Sequence, residues 1–223
     1  MTATLRARFE ALEAERERDW SPDQLRANRA QRQVLVDRFD RAAVVHEGQP
    51  VAPFALETPH SPVTLEELTR DGDLLLIFFR FAGCPACNIA LRYYDYELAG
   101  PLAARGVRIV AVTPHLQEKG SDAIRTRHGL GYTVATDRGN ALARRFGLAF
   151  LPEEPAPAPT GGGEWIGSLT GLGTGELPQP ALVLIGEDHI VRLADVSPER
   201  LRRTEASSVW ERIALTNTPA AVH

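Results

Sequence analysis

Apolar residues return at helical intervals through the first 45 positions. Leu5, Phe9 and Leu12 share one face, and a second segment carries Leu25, Leu35 and Phe39. That second segment opens on Ser21-Pro22-Asp23-Gln24, where Ser21 can cap, Pro22 suits the first helical position and Gln24 completes a capping box. The spacing predicts an N-terminal helical arm over 1–46 that packs on its own domain or dimerises. From Gly48 the pattern shortens to extended pieces: Val51 to Leu56 alternates, a proline-bounded loop spans Pro59 to Pro62, and Thr64-Leu65-Glu66-Glu67 forms a second capping box. Leu74 to Phe81 is apolar on both faces, as a central strand must be. A helix follows over Asn88 to Ala104, disturbed near Gly100-Pro101. Then come a strand at Val107 to Val112, a short helix at Asp122 to Arg127, a strand at Tyr132 to Ala135 and a helix at Asn140 to Phe146.

Residues 147–180 break this rhythm with four prolines between Pro152 and Pro159 and runs of glycine, which reads as a long loop insertion. Two strands, Ala181 to Ile185 and Ile190 to Leu193, flank the turn Gly186-Glu187-Asp188-His189. Pro198 to Ala214 reads as a closing helix and 216–223 as a flexible tail. Strands alternating with helices imply an α/β domain over 47–215.

Composition adds exclusions. The chain has 223 residues, 43% of them hydrophobic, enough to bury a core without disulfides or a structural metal. A net charge of −4 creates no field for nucleic acid or anionic lipid. The longest strongly apolar run, Leu74 to Phe79, falls far short of the roughly 20 residues that cross a bilayer. The N-terminus mixes Arg and Glu and lacks a signal-peptide pattern, so a soluble, cytoplasmic protein is expected.

The two cysteines, Cys84 and Cys87, carry the candidate chemistry. A close pair in a reducing compartment points to redox activity or metal binding rather than to a structural cross-link. A strand that ends in C-x-x-C and continues as a helix sets both sulfurs in the first turn, facing free N–H groups and the positive end of the dipole. The dipole contributes about 0.3–1 kcal/mol, or up to about 2 when partly buried, and a tenfold change in acidity takes about 1.4 kcal/mol. Stronger acidification needs the partner thiol or a cation, and Arg80 is the nearest candidate. Zinc would need two more ligands, and His115, His128 and His189 form no paired motif, so no metal is expected. No G-x-S-x-G elbow suggests a hydrolase.

The run Phe78-Phe79-Arg80-Phe81-Ala82-Gly83-Cys84-Pro85-Ala86-Cys87-Asn88 resembles the active-site strand and helix of the AhpC/TSA peroxiredoxin-like family of the thioredoxin-fold superfamily, whose usual form is F-Y-R-G-x-W-C-P-Y-C-N. The likeness starts at Gly48-Gln49-Pro50-Val51-Ala52-Pro53-Phe54 and runs through Asp137-Arg138-Gly139-Asn140 and Phe146-Gly147-Leu148. It ends on Leu177-Pro178-Gln179-Pro180 and Arg203, and so spans roughly residues 48–214. It implies a thioredoxin-like fold with a central mixed β-sheet flanked by helices, with Pro180 as a cis-proline facing the cysteines. Arg80 matches the arginine beside the active site. Arg203 matches that of a C-terminal D-Y-x-x-R segment whose tyrosine position is here Arg200. Gly83 stands for the family tryptophan and Ala90 for its glutamate, so the pocket formed with Phe81 and Pro180 is altered and points to another substrate.

The implied activity is reduction of hydrogen peroxide or organic hydroperoxides through a dithiol/disulfide cycle without cofactor, recharged by a thioredoxin-type or low-molecular-weight thiol. In a thioredoxin-like register Cys84 attacks and Cys87 resolves. In the register P-x-x-x-T-x-x-C the peroxidatic thiol is Cys87, with Cys84 in the threonine place and Arg80 in the proline place. Disulfide exchange, reduction of a specialised organic substrate and a non-catalytic binding role are the alternatives. The arm leaves room for a homodimer.

Overall fold

A computed structural model describes residues 3–151 and 164–216. The arm is two helices, α1 (Leu5–Asp19) and α2 (Pro22–Asp37). Thr4 caps the first by accepting from Ala7 N, and the Ser21/Gln24 capping box starts the second. The body continues as β1 (Ala55–Glu57), β2 (Pro62–Thr64), α3 (Leu65–Thr69), β3 (Leu74–Phe78), α4 (Pro85–Tyr94), α5 (Gly100–Ala103), β4 (Arg108–Thr113), α6 (Ala123–His128), β5 (Thr133–Thr136) and α7 (Ala141–Arg145). It ends with β6 (Ala149–Phe150), α8 (Ile166–Thr170), β7 (Leu177–Pro178), β8 (Ala181–Ile185), β9 (Val191–Val196) and α9 (Ala206–Thr216). Seven strands make one mixed sheet in the order β2-β1-β5-β4-β3-β8-β9, parallel at β5-β4-β3 and antiparallel elsewhere. None of the described helices is long and apolar enough to cross a membrane.

Central β3 explains the unbroken apolar run. Leu75, Ile77 and Phe79 point into a core shared with α1, α4 and α9, while Leu74, Leu76 and Phe78 point into a second core with α3 and α7. Alternation along β8 does the same, with Leu182 and Leu184 on the first face and Val183 and Ile185 on the other.

Three elements differ from the sequence expectation. The helix after the cysteines is disturbed a turn before Gly100-Pro101: a π-turn over Asp95–Ala99 links α4 to α5. Pro101 has no N–H to give and crowds the carbonyl four residues back, and widening the preceding turn accommodates both. The C-terminal helix begins at Ala206 rather than Pro198. Residues 198–205 are held irregular by side chains, because Thr204 donates from Oγ1 to Asp195 Oδ2 (2.7 Å) and Tyr94 OH donates to Thr204 O (2.8 Å). Within 147–180 lie β6, α8 and β7, while the proline and glycine stretch of 152–163 lies outside the described residues, as does the tail beyond Thr216.

Glu205 joins the arm to the body. Its carboxylate accepts from Leu5 N (2.9 Å), Arg6 N (2.8 Å) and Tyr93 OH (2.7 Å), an anion at the positive end of α1. Phe9 then packs under the same segment, its ring 5.6 Å from the Arg203 guanidinium. Glu205→Ala strands these donors and costs about 1–3 kcal/mol. Urea unfolding checks this, and an unchanged midpoint would contradict it.

Candidate active site

Past Phe78 the chain leaves the sheet in a tight turn. Phe79 N still bonds Val112 O (2.9 Å), Arg80 O accepts from Thr113 Oγ1 (2.9 Å) and Cys84 N bonds Phe81 O (3.1 Å). Cys84 is the extended N-cap of α4, Pro85 takes the first helical position and Cys87 the third. Asn88 clamps this turn, donating its amide N–H groups to Ala82 O (2.9 Å) and Cys84 O (2.8 Å) and accepting at Oδ1 from His128 Nε2 (2.7 Å) and Arg127 Nη1 (3.2 Å). His115 supports it from β4's end. Ala82 N donates to His115 Nδ1 (3.3 Å), so Nε2 carries the proton and donates to Lys119 O (3.0 Å).

Burial holds the His115 pKa below its ordinary value, against the pull of the Lys119 carbonyl and Glu164. The unfolded chain therefore binds this proton more readily, and stability falls as pH drops from about 6.5 toward the lowered folded value. His115→Gln should flatten that part of the stability profile. Denaturant midpoints between neutral and mildly acidic pH test it, and parallel profiles for the two proteins would contradict it.

Both cysteines are reduced and buried, with Cys87 fully enclosed and Cys84 at 3% exposure, and they stand 2.9 Å apart. Neighbouring Gly83 and Pro85 are exposed, so Cys84 lies just beneath the surface. Arg203 Nη2 donates to Cys87 Sγ at 3.5 Å, and its Nε donates to Arg200 O at 2.9 Å. Burial pushes the Cys87 thiol up, but the hydrogen bond from Cys84, the charge and hydrogen bond of Arg203 and the Arg80 backbone N–H together pull it well below the ordinary thiol range. Cys84 moves the other way: its hydrogen bond to Cys87, its burial and the negative charge of Cys87 keep it protonated, against attraction from Arg80 and Arg203. The pair therefore shares one ionisation, which the Arg203 contact at 3.5 Å draws toward Cys87.

Of the remaining residues singled out in the sequence, Arg80, Phe81 and Gly83 lie on the turn that carries the pair, Pro180 stands behind it beside Arg203, and one expectation is corrected. No described peptide bond is cis, so Gln179–Pro180 is trans. In that geometry Gln179 N bonds Leu148 O (2.7 Å) and Pro180 O accepts from Ser197 N (2.8 Å), which extends the β8-β9 ladder by one step. Pro180 is buried and shares a small cavity with Arg203 and Tyr94. The Phe81 ring lies over Gly83, where an added Cβ would come within 3.0 Å of it, so Phe81 fills part of the space a larger residue at 83 would need. The Arg80 guanidinium sits 6.0 Å from the rings of both Phe81 and Phe150, the latter brought in by β6-β7 pairing.

Three participants escaped the sequence reading. Asn88 appeared only as a motif letter and His115 only as an unpaired metal candidate. Arg200 appeared only as a departure from tyrosine, although it is buried at 5% exposure and bonds Gln31 of α2 (3.3 Å).

The family model of the AhpC/TSA family matches residues 48–194, from the start of the body through most of β9. The chain belongs to the AhpC/TSA family. It is accordingly a peroxiredoxin-like thiol oxidoreductase. The match ends before Arg200 and Arg203, which the body of the family model does not reach. Among solved structures, this AhpC/TSA protein is similar to the peroxidoxin BcpB of Mycobacterium tuberculosis, at 19% identity over 77% of this chain and 98% of that one, with a TM-score of 0.58. It is similar to a mutant of peroxiredoxin 6 of Arenicola marina, at 17% identity over 80% of each chain, with a TM-score of 0.60. It is also similar to reduced Prx3 of Vibrio vulnificus in complex with hydrogen peroxide, at 20% identity over 68% of this chain and 87% of that one, with a TM-score of 0.52. At these identities the likeness is one of fold. No curated protein matches the chain.

Proposed function

We propose that this AhpC/TSA protein reduces hydrogen peroxide or organic hydroperoxides, with Cys87 as the peroxidatic thiolate and Cys84 as the resolving thiol. The observation that carries this reading is the Arg203 contact with Cys87 Sγ at 3.5 Å, which favours a thiolate there and offers N–H donors to the oxygen that departs. The thiolate sulfur attacks the terminal peroxide oxygen. As the O–O bond breaks, the leaving alkoxide or hydroxide takes a proton, and Cys87 becomes a sulfenic acid.

The resolving step follows from the same electrostatics. While Cys87 is negative its charge adds to burial in holding the Cys84 proton in place, and once it is a neutral sulfenic acid that charge is gone, so Arg80 and Arg203 oppose burial alone and ionisation of Cys84 becomes easier. The Cys84 sulfur then attacks the sulfenic sulfur, expels water and closes the disulfide with little movement of a pair already 2.9 Å apart. Two electrons and two protons from an external dithiol, or from two equivalents of a small thiol, reopen it. A thioredoxin-type donor or a low-molecular-weight thiol fits that need, and no cofactor enters.

Disulfide exchange led by Cys84 is the second reading. A thiol held protonated by its neighbour is a poor attacking group, which weighs against it. Intact mass after one equivalent of peroxide tests the proposal. Loss of two hydrogens with one equivalent consumed is expected, and an unchanged mass would overturn it.

A further inference from the structure

The cations around the thiols outnumber the anions available to them. Arg203 is matched by the Cys87 thiolate. Arg80 and Arg200 are not: among the described residues neither forms an ion pair, and Arg80 Nε is buried with no hydrogen-bond partner. Arg200, at 5% exposure, has for its side chain only the neutral acceptor Gln31 Oε1 at 3.3 Å.

The nearby carboxylates are already engaged. Glu13 takes Arg16 and Arg32, each at 2.7 Å, and Glu199 faces Arg32 at 3.7 Å. Burial and repulsion from Arg80 pull the Arg200 guanidinium down to about 9, which leaves it charged at neutral pH, while the negative charge of the thiol pair acts against them. A buried cation without a counter-charge is costly, and a guanidinium is the side chain best shaped to grip a carboxylate with two parallel bonds. Beside these charges stand the half-buried rings of Phe81 and Phe150, followed by exposed Leu151. The surplus positive charge therefore adjoins an apolar rim, which suits an organic anion better than an inorganic one.

We propose that Arg80 and Arg200 form a carboxylate-binding subsite beside the thiol pair, so that the preferred oxidant is an organic hydroperoxide bearing a carboxylate, its hydrocarbon against Phe81 and Phe150. This rests on the peroxidase reading given above, and it adds the substrate class. The reaction is unchanged: the Cys87 sulfur takes the terminal oxygen, the O–O bond breaks and the carboxylate-bearing alcohol leaves, its oxygen protonated.

The test compares cumene hydroperoxide with its 4-carboxy derivative in the full-length reduced protein. We expect kcat/KM to favour the acid by about tenfold or more, and Arg200→Gln and Arg80→Gln each to remove most of that preference. The partly exposed Arg80 supplies the second variant should Arg200→Gln fold poorly. Equal kcat/KM for the two peroxides in the unmodified protein would overturn the subsite. If neither peroxide reacts, the peroxidase reading fails by itself, and calorimetry with the unreactive 4-(2-hydroxypropan-2-yl)benzoate decides the subsite. Saturable binding weakened about tenfold by Arg200→Gln would support it, and no binding would overturn it.

Discussion

Cys87→Ser abolishes peroxide consumption, while Cys84→Ser slows the first oxidation without removing it and stops the cycle at a sulfenic acid. The asymmetry follows from where the charge rests. A serine at 87 cannot become the soft nucleophile that attacks an O–O bond, although it still accepts from Arg203. A serine at 84 keeps a donor toward the Cys87 thiolate but cannot close a disulfide. Trapping with a sulfenic-acid reagent after one equivalent of peroxide distinguishes the variants. Label on Cys84→Ser and none on Cys87→Ser is the expected result, and the reverse pattern would assign the attack to Cys84.

Arg203→Met has the next largest effect. Removing the guanidinium that touches the Cys87 sulfur takes away part of the force that opposes burial of its charge, so the thiol pKa moves up. Removing the donors aimed at the departing oxygen slows the chemical step as well, together by about 10²–10³ in the rate with peroxide. In both proteins the rate rises with pH as Cys87 ionises, and in Arg203→Met that rise moves to higher pH because a cause that lowers the thiol is lost. Thiolate absorbance and peroxide rate, followed together across pH, read both effects, and coincident profiles would contradict the role given to Arg203. Circular dichroism accompanies the assay because Arg203 also bonds Arg200 O (2.9 Å) and packs on Phe9.

Much of the scaffold was legible because local rules and burial agreed. The capping boxes at Ser21 and Thr64 start helices where the spacing of Gln24 and Glu67 said they would. The unbroken apolar run of β3 marks a strand covered on both faces, and the strand-to-helix turn at Cys84 follows from Pro85 at the first helical position. Features set by tertiary partners were not legible. The irregular 198–205 segment has helical composition, and ties to Asp195, Tyr93 and Tyr94 keep it open. The trans bond before Pro180 is what the sequence by itself favours, and the cis expectation came from the family resemblance alone.

At the site, the sequence put both cysteines together but left open which one attacks. That choice hangs on Arg203, which approaches Cys87 from 116 residues away. The arm, read as a packing element without chemistry, supplies Gln31 to Arg200 and Phe9 beneath Arg203. Phe9 falls on the apolar face that the spacing marks, but its Arg203 partner and the Gln31 bond to Arg200 carry no periodic signal, because each depends on how α1 and α2 lie on the body.

In the proposed mechanism Arg203 and Cys84, working against the cost of burial, turn Cys87 into a peroxide-reducing thiolate. Stopped-flow mixing of the reduced full-length protein with hydrogen peroxide at neutral pH tests it most directly, read as a second-order rate constant against a free thiol of equal acidity. The account predicts a rate more than about a hundredfold above that thiol. A rate no faster than the free thiol would contradict it.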